Sequence, residues 1–243
     1  DPINSWYYIL NGHKTSVKYI AKKAALLLPN SHSEYLRFQK KYKLNCEYKK
    51  IVNAIDRNIF NADVKPNEQF KDHVLCVGRI EGIKNQLNLI KALGGTEFKL
   101  SIIGKPAPNH LSYYEECKKT ADQFNNIQII EHVTQKELSE IYKAARVHVL
   151  PSWFETTGLS SLEAAVMDCN VVITRKGDQE EYFEDMAYYC EPDDISSIKN
   201  AVTKAFSEPI NQNLKKKIAS EYTWEKTAEQ TYESYKLVLG KLN

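Results

Sequence analysis

The chain has 243 residues, 42% of them apolar and 26% charged, with a net charge of only +2. That is enough for one large or two small domains with an ordinary folded core, and it excludes a disordered or fibrous polymer. Five scattered cysteines without a CxxC pair, and no apolar run of spanning length, argue for buried thiols in a reducing compartment. A disulfide framework, a zinc site and a membrane span are not expected.

Residues 1–50 hold ten Lys and Arg against three Asp and Glu, a local charge of +7, and the remainder stands at −5. A solvated helical surface accounts for that excess. The sharper account is a patch resting on anionic lipid headgroups, where each Lys or Arg contributes about 1 kcal/mol. No nucleic-acid motif accompanies the charge, so nucleic acid is not an expected partner. Residues 6–23 read as a helix broken near Asn11-Gly12, with Val17, Ile20, Ala21 and Ala24 on one apolar face. Residues 24–28 read as a short buried strand, Pro29-Asn30-Ser31 as a helix start, and 33–43 as the helix. One helix–strand–helix unit is too little for a core of its own. Residues 48–52 are a candidate strand, 53–60 a turn and 63–71 a polar connector.

From residue 73 a regular alternation begins. Apolar, β-branched strands are expected at 73–77, 98–103, 127–131, 147–150, 171–174 and 187–190. Helical stretches at 85–93, 112–124 and 135–144, one holding Glu163, and one at 180–186 separate them. Repeated units of this kind predict an α/β fold, a parallel sheet covered by helices on both faces. Such sheets bind ligands outside the carboxyl ends of their strands, which gathers the loops at 78–85, 104–109, 131–134 and 152–158. Helices at 195–206, 215–222 and 224–239 close the chain. In the last, Trp224, Ala228, Tyr232, Tyr235 and Leu239 recur every three or four residues, and core packing is the expected use of that stripe.

The junction PSWFETTGLSSLEAA, residues 151–165, carries the most chemistry. A strand passes through Pro151 into a tight loop and a helix opens near Gly158, so free backbone N–H groups and the helix dipole form an anion site. Glu155 in the loop and Glu163 inside the helix flank it, although carboxylates repel a phosphate. A ligand with sugar hydroxyls on either side of a phosphate, a nucleotide-sugar, reconciles the two. VGRIEGIKNQ, residues 77–86, adds Arg79 and Lys84 in another strand-end loop, cations suited to a diphosphate. Taken alone, each feature has a plainer account as surface charge on a loop or a helix-start carboxylate. A glycosidase pair of carboxylates is a further candidate, but a cationic loop at the same sheet edge fits a phosphate-bearing ligand better. GxGxxG, P-loop, HExxH, GxSxG and DxD motifs are missing. That counts against a dinucleotide fingerprint, a serine hydrolase, a zinc protease and a metal-dependent transferase.

Together these motifs resemble the retaining glycosyltransferases of family four, over about residues 24–239. ALLLPNSHSEYLRF is similar to the last strand and helix of that family's N-terminal domain, and NAIDRNIF to its linker. VGRIEGIKN is similar to its glycine-arginine loop with lysine five residues on. HVTQKELSEIYKAARVHVLPSWFETTGLSSLEAA is similar to the signature in which two glutamates are separated by seven residues, and EYTWEKTAEQTYESYKLVL to the closing helix. The resemblance implies a Rossmann-like doubly wound parallel sheet, the C-terminal half of a glycosyltransferase-B fold. Residues 1–50 would be a remnant of the acceptor-side domain, 51–222 the donor-binding domain, and 223–243 a helix packing back toward the N-terminal segment.

The implied activity is transfer, with retention, from a UDP- or GDP-sugar to a glycan or lipid-linked acceptor, in polysaccharide or glycolipid synthesis. Neither a metal nor another cofactor is implied, and the implied location is the cytoplasm or the inner face of its membrane. Arg79 and Lys84 would neutralise the departing diphosphate, and Thr157, Gly158 and Leu159 would bind phosphate at the helix start. Glu163 would take the ribose hydroxyls, the backbone around Val133 would hold the base, and Glu155 would be the catalytic group beside the transferred sugar. His132, Thr156, Ser160, Asp168 and Asn170 depart from the family's usual glycines and prolines. Most of the acceptor domain is missing from this sequence, so the chain is expected to bind nucleotide and to transfer sugar poorly or not at all. An epimerase or phosphorylase on the same fold, and a non-catalytic nucleotide-binding scaffold, are the other readings.

Overall fold

Six short strands set the architecture of a computed structural model that describes residues 13–240. They are β1 (Val74–Val77), β2 (Leu100–Ile103), β3 (Ile127–Ile130), β4 (Val147–Leu150), β5 (Asn170–Ile173) and β6 (Tyr188–Tyr189). All pair in parallel, in the order β3-β2-β1-β4-β5-β6. Every residue of β1, β2, β4 and β5 is buried. Both faces of a parallel sheet are covered, which is why these strands read as continuous apolar runs rather than as alternations. The doubly wound α/β expectation holds. The strand order reverses direction between β1 and β4, and the carboxyl ends of that pair are the place where such a sheet opens a crevice.

Helices α3 (Gln86–Leu93), α4 (Leu111–Ala121), α5 (Gln135–Ala144), α6 (Leu159–Val166), α7 (Glu180–Phe183), α8 (Ile195–Ser207) and α9 (Gln212–Glu221) connect and follow the strands. Their starts obey local chemistry. Thr134 and Glu137 form a reciprocal capping box on α5. The Asp194 side chain accepts from the backbone N–H groups of Ser196 and Ser197 on α8, and that of Asn211 from Asn213 and Leu214 on α9. Side-chain amides then tie elements together: the buried Asn170 donates to the Ala205 carbonyl at 2.8 Å, and the half-buried Asn126 to those of Leu93 and Phe98 at 2.9 and 2.7 Å. The cysteines are free, and Cys76, Cys117, Cys169 and Cys190 are buried.

The chain divides into two compact units, Ala54–Trp224 with the sheet, and the segments up to Asn53 and from Glu225 onward taken together. The second unit is built on α1 (His13–Lys23), α2 (His32–Tyr42) and α10 (Trp224–Gly240). The expected helix break at Asn11-Gly12 lies outside the described residues. Ser31 caps α2 by accepting from the Glu34 N–H at 2.8 Å, and Glu34 accepts from the Asn30 N–H at 2.7 Å. Residues 27–29 and 47–51 run parallel through three backbone hydrogen bonds of 2.9 Å, but only the Leu27–Tyr48 bridge is regular, so neither expected strand forms.

Two expectations about burial fail in this unit. Ala24, Ala25 and Leu28 are exposed, so residues 24–28 are not a buried segment. On α10 the stripe is exposed too, with Trp224 at 56%, Tyr232 at 62%, Tyr235 at 59% and Leu239 at 61%. The inner side of α10 is small and polar instead. Thr227 Oγ1 donates to the Val52 carbonyl at 2.8 Å, Gln230 Oε1 accepts from the Val52 N–H at 3.1 Å, and Ser234 is fully buried. Small hydroxyl and amide side chains let α10 approach a backbone that needs hydrogen-bond partners, and large rings would hold it away.

Candidate functional site

Two loops leave the sheet at the β1/β4 switch, and they are joined to each other. The Gly82–Lys84 stretch after β1 is one turn of 3-10 helix, and Asn85 follows it in the left-handed region at φ 62°. The buried Asn85 amide donates to the carbonyls of Pro151 at 3.0 Å and Pro192 at 2.7 Å. The Trp153 N–H donates to the Ile83 carbonyl at 2.9 Å. These bonds fix the β1 and β4 loops as one piece.

Lys84 and Glu155 meet at this junction in a short ion pair, with side chains only 18% and 11% exposed. Arg79, on the same loop as Lys84, pairs with Glu81 at 3.1 Å but is 70% exposed and free to turn toward a ligand. Gly158 starts α6 at φ 70°, a conformation that costs glycine little. The first N–H groups of that helix have no carbonyl within it to take them. Thr157 is buried, and its hydroxyl is committed to the Tyr182 hydroxyl at 3.2 Å, whereas Leu159 is 46% exposed.

Glu163 lies within α6. Burial pushes its carboxyl up to about 7, and no charge or hydrogen bond opposes that shift. A carboxylate so placed gains from hydroxyl donors brought by a ligand. Val133 is half-buried in the loop after β3, at the sheet's far edge, two strands from the switch. Lys84, Glu155 and Gly158 are therefore brought together, Arg79 shares the loop of Lys84, and Val133 stands apart. Asp168, at φ 71°, is a tie rather than a site residue: Lys143 and Lys215 hold its carboxylate at 2.7 and 2.6 Å. Among the described residues, no group of three or more His, Cys, Asp or Glu side chains is placed to hold a metal ion.

The loop after β5 also belongs to this site, and the sequence reading passed over it. The Glu155 N–H donates to the Lys176 carbonyl at 3.0 Å, and the Asp178 N–H to the Glu155 carbonyl at 2.8 Å. Gly177 sits against this segment at φ 110°, where a Cβ would lie 2.0 Å from the Glu155 carbonyl oxygen. The available signal was positional, a glycine three residues after an apolar strand at the sheet edge already singled out.

Comparison with known proteins bears on the family and the fold. Residues 57–222 match the family model described as glycosyl transferases group 1. A probable sucrose-phosphate synthase of Thermosipho melanesiensis is 26% identical over 215 residues, covering 82% of this chain and 49% of the relative. A D-inositol 3-phosphate glycosyltransferase of Pseudarthrobacter chlorophenolicus is 31% identical over 112 residues, 43% of this chain and 27% of the relative. The chain thus spans at most about half the length of the curated relatives it matches. The crystal structure of Anabaena HepE in complex with UDP-glucose superposes with a TM-score of 0.79 at 16% identity, over 96% of this chain and 69% of that one. Sucrose-phosphate synthase from Thermosynechococcus elongatus gives 0.81 at 17% identity, over 95% and 62%. The family model covers the whole switch-point site, from the Arg79 loop through Glu163, and the chain belongs to the group 1 glycosyl transferases.

Proposed function

We propose that this chain is the donor-binding half of a glycosyltransferase that takes a sugar from a nucleoside diphosphate and passes it, with retention, to a glycan or lipid-linked acceptor. The observation that carries the reading is the convergence at the β1/β4 switch of the Arg79–Lys84 loop, Glu155 and the α6 start. The UDP-glucose bound by the HepE structure supports a nucleotide-sugar as the ligand class.

In this reading the diphosphate lies on the N-terminus of α6, over the backbone of Thr157, Gly158 and Leu159. Arg79 turns from Glu81 to the phosphates, and Lys84 exchanges Glu155 for them. As the sugar bond breaks, negative charge grows on the departing diphosphate, and these two cations stabilise it where it develops. They supply the positive charge that a divalent ion supplies elsewhere, so no metal is required. Glu163 accepts the ribose hydroxyls, Val133 lies toward the base, and Glu155, once released, stands beside the transferred sugar. The basic residues 15–50, with Tyr19 and Ile20 exposed at 64% and 65%, suit peripheral contact with an anionic membrane. No described helix is long and apolar enough to cross one.

The test is calorimetry with UDP and GDP, in buffer with and without EDTA. One nucleotide should bind with equal affinity in both buffers, and Arg79→Ala and Lys84→Ala should each weaken it by about 1–3 kcal/mol, the range for a charge-assisted contact. Unchanged affinity in both variants removes the central claim. No heat from either nucleotide favours a scaffold.

A further inference from the structure

The loop after β5 contains a buried group for which the donor reading has no use. Gln179 is 1% exposed, and neither its side-chain oxygen nor its side-chain nitrogen has a hydrogen-bond partner. Polar groups this deep in a fold are nearly always paired. The backbone carbonyl of the same residue is engaged, accepting from the N–H groups of Tyr182 and Phe183 at 2.9 Å. The side-chain amide is not.

Its position is informative. Gln179 Nε2 lies 2.3 Å from the point a Cβ on Gly158 would occupy, and Glu155 Cγ lies 3.4 Å from that point. The amide is therefore packed against Gly158, the residue that opens α6. Lys84 holds the Glu155 carboxylate in its ion pair, and Glu155 shares the space beside the amide. A diphosphate that takes Lys84 releases Glu155 and opens that space.

We propose that Gln179 is a further donor-site residue, which hydrogen-bonds a hydroxyl of the transferred sugar; this rests on the donor reading above. The chemistry chooses between sugar and phosphate. An orphan amide presents two N–H donors and one acceptor oxygen. A phosphate offers acceptors only and leaves Oε1 unpaired, whereas sugar hydroxyls both donate and accept and satisfy the whole group.

The experiment is calorimetry on the 243-residue chain and its Gln179→Met variant, with UDP and UDP-glucose, and with GDP and GDP-mannose if UDP is not bound. Nucleoside diphosphate affinity should stay within about twofold, and nucleotide-sugar affinity should fall about tenfold, the size of one lost hydrogen bond. The ligand-free variant should melt higher, because an apolar chain replaces an orphan amide. Gln179→Glu, which keeps the shape and loses the donors, should also weaken nucleotide-sugar selectively and serves if the Met variant does not fold. Equal weakening of both ligands would assign Gln179 to the phosphate turn, and no change in either would leave it a plain buried group; each result overturns the proposal. If the wild-type chain binds the diphosphate but the variant does not discriminate, only the role of Gln179 fails. If the wild-type chain binds no diphosphate, the donor reading fails and takes this proposal with it.

Discussion

The sheet unit and the unit built from the chain's two ends differ in how far they cover their apolar side chains. In the first, Val74, Leu75, Leu100, Ile102, Val147 and Val149 are all 0–1% exposed, and helices cover both faces of the strands. In the second, Tyr35, Tyr42, Ile51 and Val52 are buried, but Tyr19, Ile20, Leu36, Tyr232, Tyr235 and Leu239 are each more than half exposed, and the inner contacts of α10 run through Thr227, Gln230 and Ser234. Burial, not apolar content, carries stability. Apolar residues should therefore cost very different amounts to remove from the sheet strands and from the exposed face of α10.

The largest effect is expected at the sheet centre. Ile102→Ala in β2 should destabilise by about 2–5 kcal/mol, since it removes a fully buried side chain from a packed parallel sheet. Denaturant midpoints measure it. A loss under about 1 kcal/mol would mean that the core tolerates a cavity and that the contrast between the units is unfounded.

Glu163 tests how far burial dominates at the site itself. Its folded carboxyl titrates near 7, against an ordinary value of 4.5. A raised folded value means that the stabilising proton is fully in place below about 4.5 and is lost as pH rises through 7. Glu163→Gln removes that slope. The variant should gain about 2–3 kcal/mol on the wild type between pH 4.5 and 8, most of it before pH 7. Parallel stability curves would contradict the burial argument. In the ribose reading the same substitution weakens nucleotide binding above pH 7, so stability and affinity should move in opposite directions.

The sheet was legible because continuous β-branched runs admit few alternatives once strands and helices alternate. The placement of Arg79, Lys84 and Glu155 in loops at the carboxyl ends of parallel strands was legible because those strands were. What the sequence could not show was contact between loops: the Lys84–Glu155 pair spans 71 residues, and the Gln179 amide meets Gly158 only through the fold. The α10 stripe failed for a different reason. Periodicity says that one face of a helix is apolar, but not what covers it. Thr227, Gln230 and Ser234 recur on the neighbouring face, and these are the positions turned inward, Thr231 and Ser234 also bonding back to carbonyls one turn earlier.

Asp168 offers a smaller test inside the sheet unit. Burial alone would raise its carboxyl, and the hydrogen bonds from Lys143 and Lys215 outweigh that and hold it below its ordinary range. A depressed folded value gives stability that is present above the unfolded value of 3.8 and is lost as pH falls through the folded one. Asparagine tolerates the left-handed backbone at φ 71°. Asp168→Asn should therefore cost about 1 kcal/mol at pH 7 and nothing in strong acid, where the wild-type carboxyl is also neutral. An equal cost at pH 7 and in strong acid would assign the effect to packing.

The smallest effect is expected on α10. Tyr232 and Tyr235 are 62% and 59% exposed, and Lys236 lies 5.2 Å from the Tyr232 ring while pairing with Glu233 at 2.9 Å. Exposed cation–π and ion-pair contacts each contribute well under about 1 kcal/mol, and alanine is the better helix former. The two terms nearly cancel, so Tyr232→Ala and Tyr235→Ala should each shift the unfolding free energy of the isolated chain by no more than about 0.5 kcal/mol. Urea titration of both variants beside Ile102→Ala measures the contrast directly. A loss of about 2 kcal/mol from either tyrosine would show that the stripe is packed in solution after all, and the division between a covered sheet and an uncovered helix face would fall.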